Sequence, residues 1–378
     1  MKISVDHGIF AEAVTWASRT IPNRPAVPVL AGMKLVANED GIVSLGSRDS
    51  DITSHVDIEA DVAEAGEVLV RGRLLADIVR ALPANKPIEL TLDGTTLEIE
   101  CGSSRFSMKT MATEDYTELP QLPPVIGKVD GSLWQEAVGQ VTIAASNDDT
   151  LPMLVSVCIE IEGNSMSLMA TDRYRLAVRD LKWDAEDPNI STRILVRASR
   201  LLDVAKALDS TGPIEVSLRE ESGVSLIGFS AGGRQNTIQL IDGEYPQVRS
   251  LFPSEVSGHA LINRVELLDA IKRSKLVVEK NSAVRLTLTD GQLTLEAGAG
   301  DKAQFADAIE ATLVGEDIKM AFNPTLLQDG VNVMNEEQVR LSFTQPTKPA
   351  VLTGESEKDG PNEDFRLLLM PIRTFGTN

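Results

Sequence analysis

The strongest constraint on this chain is internal repetition. An apolar strand running into a short amphipathic helix and then a second strand occurs three times: VLVRGRLLADIVRALPANKPIELTL from Val68, ILVRASRLLDVAKALDSTGPIEVSL from Ile194 and IKMAFNPTLLQDGVNVMNEEQVRLSF from Ile318. The copies start 126 and 124 residues apart, the size of a domain and far longer than a solenoid repeat. A second triplet tests the registration: IFAEAVTWAS from Ile9, LWQEAVGQVT from Leu133 and ELLDAIKRSK from Glu266 share an acidic residue, then Ala, then a branched apolar residue. Both triplets keep their order in each third of the chain, which short apolar runs do not do by chance.

Between the predicted helices lie alternating segments of half-buried strands: Lys34 to Ala37, Glu89 to Leu92, Leu97 to Cys101, Val157 to Ile161, Val284 to Leu288 and Leu293 to Glu296. Asp93-Gly94, Gly163-Asn164 and Asp290-Gly291 supply turns. The expected class is α+β, three similar domains, each of two helices and antiparallel sheet. Proline-rich closures at Leu119–Pro124 and Leu251–Pro253 set the expected domains at 1–124, 125–253 and 254–378. The charged run from Gly354 to Asp364 reads as a mobile surface loop.

The formal net charge is −20, which argues against a nucleic-acid partner if spread evenly, because phosphate binding needs Lys and Arg. It is not spread evenly. The six segments 9–24, 71–80, 132–147, 197–206, 264–275 and 323–334 together carry +5, leaving −25 elsewhere. One reading is that acids prefer loops and outer strand faces; the other is a weakly basic helical surface on an acidic molecule, able to meet DNA. Cys101 and Cys158, with no CxxC, read as buried thiols of a reducing compartment. No signal-peptide or membrane-length apolar run occurs, so a soluble cytoplasmic protein is expected.

Catalytic motifs are missing: no GxxxxGK[ST], HExxH, GxSxG or EF-hand loop. His7, His55 and His259 stand in unrelated contexts, and Asp148-Asp149 and Glu220-Glu221 read as solvated loop carboxylates. Gly298-Ala299-Gly300-Asp301-Lys302-Ala303 matches GxGxxA after a strand, the basis of an alternative as a nucleotide-binding enzyme using the Gly298–Gly300 loop. The repeat register instead puts these residues at a strand-to-strand connection. No cofactor, metal or catalytic residue is assigned.

Ala170-Thr171-Asp172-Arg173-Tyr174-Arg175-Leu176-Ala177-Val178 is the most distinctive motif. With Arg24–Leu30, Asp148–Leu154, Phe322-Asn323-Pro324 and Met370-Pro371-Ile372-Arg373, it resembles the bacterial sliding clamp family, the beta subunit of DNA polymerase III. The resemblance covers the whole chain; Arg-Tyr-Arg and Pro346–Ala350 resemble actinobacterial members.

The resemblance implies three clamp domains per chain and two chains closed head to tail, with helices lining a hole around duplex DNA and sheets outside. It implies a non-catalytic processivity subunit, with the polymerase alpha subunit, the clamp loader and other motif-bearing proteins as partners. On this view Arg24, Arg73, Arg80, Arg197, Arg200, Lys272 and Lys275 face DNA, Arg24 from the family motif and the others from helix placement. The partner-peptide pocket is formed by Leu154, Thr171, Arg173, Arg175, Leu176, Pro246, Leu251, Asn323, Leu326, Met370, Pro371, Ile372 and Arg373. Phe106, Met108, Leu276 and Val277 take the apolar dimer positions. Lys280-Asn281-Ser282, Thr347 and the extension Thr374 to Asn378 depart from the family pattern. They suggest a divergent second clamp whose pocket takes or refuses a different ligand, such as a peptide antibiotic.

Overall fold

A computed structural model describes residues 1–220, 225–278, 283–298, 303–356, 358 and 360–372. Its helices are α1 (His7–Ser18), α2 (Gly72–Ala81), α3 (Gly131–Thr142), α4 (Ala198–Ala207), α5 (Arg264–Ser274) and α6 (Pro324–Asn332). The caps are written in the sequence. Asp6 accepts the Ile9 amide at the start of α1, Asn263 accepts those of Val265 and Glu266, and Asn323 accepts those of Thr325 and Leu326 with Pro324 at the first helical position. In α2, Leu75, Ala76, Ile78 and Val79 are buried while Arg73, Asp77 and Arg80 are exposed, which is the apolar stripe that holds a ten-residue helix on a sheet.

Helix ends shift relative to expectation. The segment 9–24 is helical only to Ser18, because Pro22 and Pro25 cannot continue it, so Arg24 lies in a loop. Arg197 ends a strand instead of opening α4, and Lys275 is the C-cap of α5.

The repeat is exact at the level of strand register. Val68, Ile194 and Met320, each four residues before α2, α4 or α6, pair with Leu35, Ile159 and Leu286. These in turn pair with Leu45, Leu168 and Leu295.

The chain divides into two compact units: Met1–Ser132 with Asp184–Asp187 and Asp203–Leu240, and Leu133–Trp183 with Pro188–Leu202 and Ile241–Asn378. The middle third is split because its strands complete sheets begun by either neighbour. In the first unit, strand Arg234–Gln239 pairs antiparallel with strand Ile52–Glu59, completing a nine-stranded sheet beside a five-stranded one. In the second, strand Phe365–Leu369 pairs antiparallel with strand Arg175–Lys182 inside a thirteen-stranded sheet.

One expectation is corrected, and a second, the strand-to-strand connection at Gly298, agrees with the structure. The run 354–364 is not structureless: Glu355 and Ser356 pair with Pro361 and Gly360, and the Asn362 amide donates to the Gly354 carbonyl; Glu357 and Asp359 lie outside the described residues. The strand before Gly298 pairs antiparallel with strand Phe305–Val314, so there is no βαβ unit and Gly298 (φ +88°) takes a turn conformation; residues 299–302, including Gly300, lie outside the described residues. The nucleotide-enzyme alternative loses its structural context.

Candidate functional site

The TDRYR segment forms the tight connection between strands Ser165–Thr171 and Arg175–Lys182. Asp172 Oδ1 accepts the amides of Tyr174 and Arg175, both at 3.0 Å, and the Thr171 hydroxyl donates to the Arg175 carbonyl at 2.7 Å. Arg173 (φ +77°) is the one non-glycine residue with positive φ among the described residues. These bonds offset that conformation and turn Arg173 and Tyr174 outward, Tyr174 being 62% exposed. Arg175 is buried between Asp172 (3.1 Å) and Asp329 of α6 (2.8 Å), fixing the turn against the helix.

Alternation along the strand then brings Leu176 and Val178 to one face, where they pack with Cys158, Met169, Leu195 and Leu368. The following segment lies over them: Tyr245 and Val248 are buried in this cluster, and Met153, Ile241 and Phe252 flank it half-buried. Burial pushes the Cys158 thiol up to about 12 and raises the Tyr245 phenol strongly, so both stay neutral. The C-terminal segment is tied to the same place. The Met370 amide donates to the Tyr174 carbonyl at 2.9 Å and that of Ile372 to the Ala321 carbonyl at 2.7 Å, beside Asn323. Met370 and Leu251 remain 43% and 56% exposed.

Of the expected pocket residues, Thr171, Arg173, Arg175, Leu176, Met370, Pro371 and Ile372 therefore converge on this turn and the strand beside it. Asn323 caps α6, Leu326 and Leu154 are half-buried, and Pro246 is exposed between Tyr245 and Val248. Arg373 and Thr374–Asn378 lie outside the described residues, as do Lys280-Asn281-Ser282.

Sequence reasoning missed what fastens the overlying segment. Arg249 reaches Asp180 at 2.8 Å and Glu160 at 3.6 Å, while Arg366 reaches Asp180 at 3.2 Å and stacks over Phe252 at 5.2 Å. The alternation Leu176, Val178, Asp180 puts the Asp180 side chain on the same face as the cluster but does not indicate its partner. Burial works against the Asp180 carboxylate, but hydrogen bonds from Arg249 and Ser167 and the charges of Arg249 and Arg366 hold it below the usual carboxylate range. A lowered folded pKa contributes stability above the unfolded value near ~3.9 that is lost as pH falls through the folded value. Asp180→Asn is expected to cost roughly 1 kcal/mol in a urea titration at pH 7, with the difference from wild type closing once the pH falls below the folded pKa. A constant difference at every pH contradicts this assignment.

The basic positions are mostly moderated by neighbours. Arg80 pairs with Asp77 (3.1 Å), Arg197 with Asp149 (2.6 Å) and Lys272 with Asp269 (3.1 Å). Lys275 donates to Gln328, Arg73 donates to the Ile21 carbonyl, Arg200 is half-exposed and Arg24 is exposed.

At the proposed dimer positions, Phe106 is 39% and Leu276 86% exposed, Val277 is half-buried and Met108 is buried within its own chain. Phe106 and Met108 lie on strand Ser104–Lys109, an edge of the five-stranded sheet. Among the described residues no group of three His, Cys, Asp or Glu side chains is arranged to hold a metal, and no helix is long and apolar enough to cross a membrane.

An antiparallel α+β chain with a threefold register, basic helix positions and an apolar cluster with half-exposed neighbours behind TDRYR has the makings of a DNA clamp. The N-terminal, central and C-terminal domains of the DNA polymerase III beta subunit match residues 1–120, 128–247 and 249–373. The chain belongs to this family of sliding clamps, non-catalytic processivity subunits of the replicative polymerase. It is 47% identical over 378 residues to the beta sliding clamp of Streptomyces coelicolor, covering all of both chains. It is 38% identical over 374 residues to the beta sliding clamp homolog GriR of Streptomyces muensis, covering 99% of each. The fold matches a Pseudomonas aeruginosa sliding clamp crystallised with griselimycin at TM-score 0.91, with 23% identity, covering 99% of this chain and all of that one.

Proposed function

We propose that two copies of this chain close head to tail around duplex DNA in the cytoplasm, and that the groove behind TDRYR tethers the replicative polymerase, the clamp loader and other proteins carrying short linear motifs. The observation that carries the reading is an unfilled repeat of strand pairing. Strand Arg234–Gln239 adds to Ile52–Glu59, and strand Phe365–Leu369 adds to Arg175–Lys182. The third strand of each kind, Ser104–Lys109, is an edge in its own chain, and the third acceptor is the first half of Phe305–Val314, because only Ala311–Val314 pair with strand Gly258–Asn263 on that side.

The repeat even supplies a register. Asn236 stands opposite Ser54 and Leu367 opposite Ala177. The hairpin registers make Phe106 the counterpart of Asn236, and Phe305 the counterpart of Ser54 and Ala177. Phe106 of one chain therefore faces Phe305 of the next, an aromatic contact that covers the Ser104–Lys109 edge and extends the pairing of Ala311–Val314 along the same strand.

A ring holds DNA by topology, so its lining needs only weak attraction to phosphate, and strong contacts hinder sliding. Basic side chains already shared with carboxylates, as at Arg80, Arg197 and Lys272, suit that demand. Replacing Arg24, Arg197 and Lys272 together with Glu is expected to weaken DNA retention and lower the slope of log retention against log salt by roughly 2–3. An unchanged slope removes these residues from the lining.

The buried apolar cluster of Leu176 and Val178 and the half-exposed rim of Met370 and Leu251 also suit a peptide antibiotic. The solved relative with griselimycin supports that ligand class. The higher identity to the S. coelicolor clamp than to GriR favours a housekeeping clamp over a divergent second copy.

A further inference from the structure

We infer that the first sheet junction carries a second ligand groove, built like the one behind TDRYR but polar, which takes an uncharged, amide-rich ligand with one branched aliphatic group. The two places are equivalent rung by rung. Across the second junction the outward row reads Cys158, Met169, Val178, Arg366; across the first it reads Lys34, Gly46, His55, Gln235. A linker roofs each: Tyr245 and Val248 in one, Glu118–Leu122 in the other.

Glycine at 46, where the other row has Met169, makes room for the linker's Leu119, whose Cδ1 occupies the space of a Cβ there. Leu122 lies likewise over Gly228, 2.7 Å from where a Cβ would stand, and Arg219 donates to the Gln121 carbonyl at 3.2 Å. The linker is thereby held as a roof. Between roof and floor remains a cavity of about 380 Å³, within the size of small-ligand sites.

Its chemistry selects the ligand. Lys34 is paired with Glu67 at 2.9 Å, the His55 ring lies 3.0 Å from the Asp57 carboxylate, and Glu118 is solvent-exposed at the rim, so no unpaired charge is buried in the groove to call for a charged guest. The Ser44 hydroxyl donates to Asp57 and the Thr53 and Thr237 hydroxyls share one hydrogen bond at 2.5 Å, so the floor keeps hydroxyl lone pairs, one threonine donor and the Gln235 side-chain amide to meet an amide ligand. Val36, Leu119 and Pro120 form an apolar wall for one aliphatic side chain.

N-acetyl-leucinamide is such a ligand, and N-acetyl-leucine and leucinamide are its anionic and cationic controls. Methyl NMR of the full-length protein is expected to show saturable shifts at Val36, Leu119 and Leu122 with the neutral probe, with a Kd on the order of millimolar, and at least tenfold weaker response to either charged control. Val36→Trp fills the cavity from its half-exposed rim and should weaken the response tenfold or more, leaving the spectrum of Leu176 and Val178 unchanged. Gly46→Met should do the same from the floor, if the folded spectrum persists. The inference is overturned if the three methyls show no saturable shift, if the charged probes bind as well as the neutral one, or if Val36→Trp responds like the wild type.

Discussion

Phe106→Asp is expected to turn a stable pair of chains into single ones, raising the dissociation constant at least ~100-fold, about 2.7 kcal/mol. The side chain is 39% exposed on an edge strand, so a single chain gains little from it. Opposite Phe305 of a second chain it becomes buried, and a carboxylate there is desolvated without a partner. Sedimentation should show the monomer while circular dichroism and Tm stay within about 2 °C of wild type. Arg105→Ala, one residue along and on the other face of the strand, is the control and should change the dissociation constant less than ~3-fold. Monomers from both variants, or dimers from both, refute the proposed register.

Removal of Met370 and everything after it is expected to cost at least ~100-fold in affinity for a fluorescent peptide ending in an aliphatic-aromatic pair. The last paired residue of the strand is Leu369, so the truncated chain keeps its sheet. What it loses is the exposed Met370 and the segment drawn across by the bonds to the Tyr174 and Ala321 carbonyls. Leu176, Val178 and the segment above them then have no second wall, and a peptide anchor meets water on one side. Fluorescence anisotropy reads the effect, and urea unfolding checks the fold. Affinity within threefold of wild type places the peptide elsewhere.

Much of this was legible in the sequence because repetition magnifies weak signals. One strand–helix–strand pattern is ambiguous; three copies in constant order specify strand register, as Leu35, Ile159 and Leu286 demonstrate. Boundaries were less legible. Arg24 falls at the end of the segment 9–24 that reads as helical, whereas Pro22 and Pro25 decide the matter. The division of the middle third between two units could not be read, because strand addition joins residues 178 or more apart, such as Val56 with Arg234 and Arg179 with Phe365. In the groove, TDRYR and MPIR were visible as motifs, but Arg249 and Asp180 were not. Their contact depends on a loop folding back over a sheet, and nothing local in sequence encodes it.

The most direct test of the central claim is retention on DNA of changed topology. Loaded with a clamp loader onto nicked circular duplex, the protein should remain through gel filtration at moderate salt and leave within minutes once one cut linearises the circle. Blocking both ends with bound protein should restore retention. Equal retention on circular and linear DNA, or loss from both at the same rate, contradicts encirclement.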